Sequence, residues 1–231
     1  MKSGLTWITL LLDRSYSMEL CADTAVDAVN LFLAEQRAME GEARLTFALF
    51  NNGVDLLHDG VALADVPRFT HAAFAPWGGT ELYDSFARVL ARTEAAVAAA
   101  PDAERPEHVV FVILTDGLDN GASRVSPAEL RKNVERLTRE QSWKFLFLGA
   151  NFDAFVEGGQ LGTSGLSFRT VDGGLAQAAA TASAFVGMAR SGDAATAAEI
   201  GGAKDIDDPA VRRAVSRFRS RLGSSGEPPA N

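Results

Sequence analysis

The hydrophobic positions of this chain follow two alternating rhythms. Val109 to Leu114 is an apolar run with no polar alternation, the pattern of a strand covered on both faces; Trp7 to Leu12 reads as a buried strand and Trp143 to Leu148 as another. Arg44 to Phe50 alternates like a strand, and Leu166 to Val171 reads as a last one. Between these runs the apolar residues recur at helical spacing. Val26, Val29 and Leu33 mark a helix within 25–39. Leu82, Phe86, Val89 and Val97 mark a second, and Leu130, Val134 and Leu137 a third. Leu175, Ala179, Ala182, Val186 and Ala189 mark an alanine-rich fourth.

Turn and cap residues fix the boundaries. Asn51-Asn52-Gly53 carries the Asn-Gly signal of a tight hairpin, so Val54 to Leu57, extending towards Leu63, returns antiparallel at a sheet edge. Ser126-Pro127-Ala128-Glu129 is a helix start, with Ser as N-cap, Pro first in the helix and Glu placed to close a capping box. Strands alternating with helices predict an α/β fold. Its sheet is doubly wound and mostly parallel, with one antiparallel edge strand and helices on both faces. Ligands of such folds bind beyond the carboxyl ends of the strands, where the strand order reverses.

Composition divides the rest. Residues 1–190 read as the domain, and 191–208, rich in Gly, Ala and Asp, as a linker. Residues 209–222 read as a separate amphipathic helix, with Val211, Val215, Phe218 and Leu222 on one stripe and arginines on the other faces. Residues 223–231 read as a disordered tail.

The candidate chemistry begins where the first apolar run stops. Asp13, Ser15 and Ser17 stand two apart and place a carboxylate and two hydroxyls in the loop after a buried strand. Hard cations take oxygen ligands of this kind. Thr80 supplies another hydroxyl after a glycine pair, and Asp116 ends the run Val109 to Leu114 with a second carboxylate. On their own, residues of these types are also common in turns. Asp119 and Asn120 read as a solvated turn, Asp153 as an N-cap and Trp77 as a loop anchor. His58, His71 and His108 share no ligand spacing.

Taken in order, D-x-S-x-S, G-G-T-x-L-Y-D and T-D-G-x-D-N resemble the metal-ion-dependent adhesion site of the von Willebrand factor A (vWA) family. The resemblance extends to roughly Arg190. It implies that Asp13, Ser15, Ser17, Thr80 and Asp116 hold one Mg²⁺ or Mn²⁺, with Ca²⁺ as the alternative. It also implies that a protein partner donates an Asp or Glu to the ion, and that the site switches between Thr80-type ligation in an open form and Asp116-type ligation in a closed one. The chain resembles stand-alone bacterial members, which often work alongside AAA+ ATPases or in stress-response systems, and the resemblance implies a partner of that kind. No enzymatic role is expected.

The formal net charge of −8 argues against nucleic acid as a partner. A single cysteine, Cys21, rules out an internal disulfide framework. No apolar run is long enough to span a membrane, and the opening residues lack the order of a signal peptide, so the expected location is cytoplasmic. Two other readings compete. An aspartate-nucleophile phosphohydrolase also places an Asp after the first strand, but it needs a second Asp where this chain has Ser15, and a basic residue for the phosphate. Arg14 and Lys144 are poor candidates for that residue. An RNA-associated vWA domain is the other, and the acidic charge weighs against it.

Overall fold

The computed structural model describes residues 1–170 and 173–224. Six strands form one sheet in the order β3-β2-β1-β4-β5-β6. They are β1 (Lys2–Asp13), β2 (Glu42–Phe50), β3 (Val54–Ala62), β4 (Pro106–Thr115), β5 (Lys144–Ala150) and β6 (Ser164–Phe168). All neighbours run parallel except β2 and β3, the hairpin closed by Asn51-Asn52-Gly53. The fold is therefore the doubly wound α/β class that the periodicity predicts. The strand expected over 166–171 begins earlier, at Ser164, and ends at Phe168, and Val171 lies outside the described residues.

The central strand β1 is buried from Leu5 to Asp13 because helices cover both faces. Side chains alternate across it. Ile8, Leu10 and Leu12 enter one core, with α1 (Ala22–Arg37) and α5 (Gly174–Arg190). Trp7 and Leu11 enter the other, with α2 (Leu82–Ala99), α3 (Pro127–Gln141) and the short α4 (Ala154–Gln160). The capping box that opens α3 is formed as expected, with Ser126 and Glu129 each accepting from the other's backbone. Asp153 caps α4 by accepting from the Val156 amide over 3.1 Å.

The C-terminal segment departs from the sequence reading. Residues 191–208 are not a linker: they hold α6 (Ala194–Gly202), capped by Asp193, which accepts from the Thr196 amide at 3.1 Å and its hydroxyl at 3.0 Å. Ile200 and Ile206 are buried in the first core, and Ser167 of β6 bridges to Asp205. The final helix, α7 (Pro209–Ser224), is no appendage either. Val211, Ala214 and Phe218 are buried in the same core, and α7 packs on α5 and α6. The small-residue composition that resembles a linker here allows close helix packing: Gly187 of α5 lies against the Phe218 ring, where a Cβ would collide with it. Three arginines of α7 are tied to this fold, with Arg212 pairing with Asp207, Arg217 with Glu199 and Arg219 with Glu35. The helix continues to Ser224, and the rest of the expected tail lies outside the described residues.

Among the described residues, no helix is long and apolar enough to cross a membrane.

Candidate functional site

The strand order reverses between β1 and β4, which lie side by side with Leu12 opposite Leu114. Asp13 ends β1, and Asp116 follows directly on β4. The two carboxylates therefore meet at the crevice where this class of sheet binds ligands.

Asp13 is fully buried and held at both oxygens. Its Oδ1 accepts from the Ser15 amide at 2.7 Å, and its Oδ2 from the Thr115 hydroxyl at 2.6 Å. The Ser15 and Ser17 hydroxyls stand 3.1 Å apart, and Ser17 donates to Asp116 Oδ1 over 2.6 Å. Four of the five site residues expected from sequence are thus joined in one hydrogen-bonded chain. Thr80 is outside that chain and is held through its backbone by Asn120. Its carbonyl accepts from the Asn120 amide at 2.9 Å, and its amide donates to the Asn120 side chain at 2.7 Å. Its side chain is buried beside Gly117, with its hydroxyl 3.8 Å from where a Cβ there would stand. That hydroxyl has no hydrogen-bond partner among the described residues.

Several residues that sequence reasoning set aside hold this loop in place. Asn120, read as a turn residue, clamps Thr80. Asn51 and Asn52 close the hairpin and also grip the glycine pair. Asn51 donates from its side chain to the Trp77 carbonyl at 3.0 Å, and its own carbonyl accepts from the Glu81 amide at 2.8 Å. Asn52 accepts from the Gly79 amide. Gly78 has a φ of +77° and packs on Asn52, so a side chain there would be strained and would collide. Asp119 accepts from the Tyr83 amide at 3.1 Å, fixing the start of α2. The one available signal was the clustering of asparagines at strand ends, which is also ordinary turn chemistry. Trp77 anchors its loop through its backbone alone, because its side chain is exposed.

Electrostatics mark the site as short of positive charge. Burial pushes the Asp13 carboxyl up to about 6, against the pull of hydrogen bonds from Thr115 and Ser15 and with a further push from the neighbouring Asp116. Burial also raises Asp116, against its hydrogen bond from Ser17. Neither forms an ion pair among the described residues, and Arg14 turns away to Asp55. No group of three or more His, Cys, Asp or Glu side chains there is placed to hold a metal. Any ion must therefore rely on hydroxyls as well as the two carboxylates. That oxygen-only set, with an unpartnered threonine hydroxyl beside it, fits a hard divalent cation rather than a thiophilic one.

No protein-family model and no curated protein matches the chain. Solved structures do. The ArnB paralog VWA2 from Sulfolobus acidocaldarius is similar at 18% identity over 79% of this chain and 45% of that one, with a TM-score of 0.52. A von Willebrand factor type A structure from Catenulispora acidiphila is similar at 17% identity over 77% of this chain and 41% of that one, with a TM-score of 0.53. The fold is that of a vWA domain. The chain spans less than half the length of either structure. At this identity the likeness extends to the vWA fold alone, and the reading of the site rests on its own residues.

Proposed function

We propose that this vWA domain is a metal-dependent protein-interaction module whose partner presents an Asp or Glu side chain. One observation carries the reading. Two carboxylates, one of them fully buried, converge with the hydroxyls of Ser15, Ser17 and Thr115 at the topological switch point, with Thr80 buried close by, and no cationic side chain neutralises them. Taking a carboxylate out of water without a counter-charge is costly unless the site serves a bound cation.

Asp13, Ser15, Ser17, Thr80 and Asp116 would hold the ion, Mg²⁺ or Mn²⁺ by the hardness of their oxygens. When bound, the ion supplies an electrophilic position for an external carboxylate. The chain's own part is orientation. Thr115 and the Ser15 amide fix Asp13, Ser17 bridges to Asp116, and Asn120 sets the height of Thr80. A phosphohydrolase would also need a general acid and a phosphate-binding base. Ser15 occupies the first position, and Lys144 opens β5 at the opposite end of the strands from the site.

The test is retention of host proteins on the immobilised chain. The reading expects a protein held in Mg²⁺, released by EDTA and not held by Asp116→Ala. Retention that ignores both EDTA and the substitution would overturn it.

A further inference from the structure

Large apolar side chains are exposed around the site. Tyr16 is 66% exposed, Leu20 99%, Trp77 54% and Leu118 50%. These are four of the nine large apolar side chains that the described residues expose, and all four lie on the three loops that carry Ser17, Thr80 and Asp116. Hydrogen bonds hold those loops together. The Tyr16 amide donates to the Gly78 carbonyl and the Trp77 amide to the Arg14 carbonyl, each at 3.1 Å. Ser17 reaches Asp116 at 2.6 Å, two residues before Leu118. Leu20 stands one turn beyond Ser17 on the 3-10 helix Tyr16–Cys21.

Exposing these groups to water is unfavourable, and nothing in the fold requires it. The charges around them indicate what covers them. These loops carry no lysine, Arg14 is engaged by Asp55, and the exposed Arg124 at the far end of the Asp116 loop is outnumbered by Glu19, Glu81, Asp116 and Asp119. A strongly acidic surface would be repelled here, and a polar one would leave the apolar groups in water.

We infer that the rim formed by Tyr16, Leu20, Trp77 and Leu118 binds a partner segment in which a single acidic residue is flanked by bulky apolar ones. The inference rests on the metal-dependent reading of the site. The acid enters at the ion, and its neighbours cover the rim. A closed apolar ring excludes water, and lower local polarity strengthens the attraction between ion and carboxylate. Aromatic side chains such as Tyr16 and Trp77 make large contacts at small entropic cost, which suits a short segment.

The test is selection of displayed random short peptides on the full chain in Mg²⁺, with calorimetric titration of Mg²⁺ alongside. The expected peptides carry one Asp or Glu between bulky apolar residues and are lost in EDTA. Leu20→Ser and Leu118→Ser should each weaken them about tenfold, while Mg²⁺ affinity stays within about twofold of wild type. Trp77 fluorescence should shift to the blue as the peptide binds, because Trp7 and Trp143 are already buried. Peptides with an acid but no apolar preference, equal binding to both serine variants, or no enrichment despite Mg²⁺ binding would overturn the rim. So would self-association that blocks the site. No Mg²⁺ binding at all would mean that the metal reading itself has failed.

Discussion

Thr115, the last residue of β4, donates its hydroxyl to Asp13, the last residue of β1, over 2.6 Å. The same hydroxyl accepts from the Gly117 amide at 3.1 Å, so one side chain fixes both a site carboxylate and the turn that carries Asp116. Thr115→Val keeps the strand shape and removes both bonds. Because it strips a buried acceptor of its donor, it should cost about 1–3 kcal/mol. Urea unfolding without metal measures this, and a loss of only a few tenths would show that Asp13 finds another donor.

The burial of Asp13 sets a pH dependence. Its folded-state value of about 6 lies above the ordinary aspartate value of 3.8, so the folded protein holds the proton more tightly than the unfolded chain. The stability this adds is present at low pH and is lost as pH rises through that window. Above about pH 6 the ionised, metal-free site is on the order of 2–3 kcal/mol less stable than the protonated one. Asp116, raised in the same direction, adds to the trend. Asp13→Asn should be more stable than metal-free wild type at neutral pH and equal to it at about pH 4. A wild type that gains stability relative to the variant as pH rises would contradict this.

The sequence made the sheet legible and the C-terminal end illegible, for physical reasons. Strands such as Val109 to Leu114 are buried on both faces, so each residue reports its environment, and Ser126 and Asn51-Asn52-Gly53 mark boundaries by local chemistry alone. The metal-ligand candidates were legible because the chemistry needs oxygen donors at fixed places. The segment 191–208 was not. Alanine and glycine report neither burial nor exposure, and α6 is held by Ile200, by its Asp193 cap and by contact with α5, which only tertiary structure reveals. The roles of Asn51, Asn52 and Asn120 were hidden for a similar reason, since each acts across more than twenty positions of sequence.

The packing of α7 gives a stability prediction. Phe218 is buried against Gly187, so Phe218→Ala should cost about 3–5 kcal/mol. Gly187→Ala should cost about 1–3 kcal/mol by overpacking. Thermal melts of both variants check this. A chain truncated after Arg190 should be unstable, because it uncovers Phe185 and the rest of the α5 face. A truncated chain that melts like the full one would remove α7 from the core.

Thr80 separates site from scaffold. Its hydroxyl has no partner among the described residues, so Thr80→Val should change metal-free stability by less than about 0.5 kcal/mol. Mg²⁺ affinity should nevertheless fall about tenfold or more, in keeping with the loss of one oxygen donor to a charged group. Partner binding should fall further. The reverse pattern, lost stability with affinity intact, would make Thr80 a structural residue.

The central claim is that Asp13, Ser15, Ser17, Thr80 and Asp116 form a binding site for one divalent ion. The most direct measurement is the melting temperature with and without Mg²⁺ for wild type and Asp116→Ala. An ion bound only by the folded state adds about 2.7 kcal/mol at a hundredfold excess over its Kd. For a domain of this size that is a rise of roughly 5–10 °C. That rise is expected in wild type and its absence in Asp116→Ala. An equal shift in both proteins, or none in either at saturating Mg²⁺ and Mn²⁺, would contradict the claim.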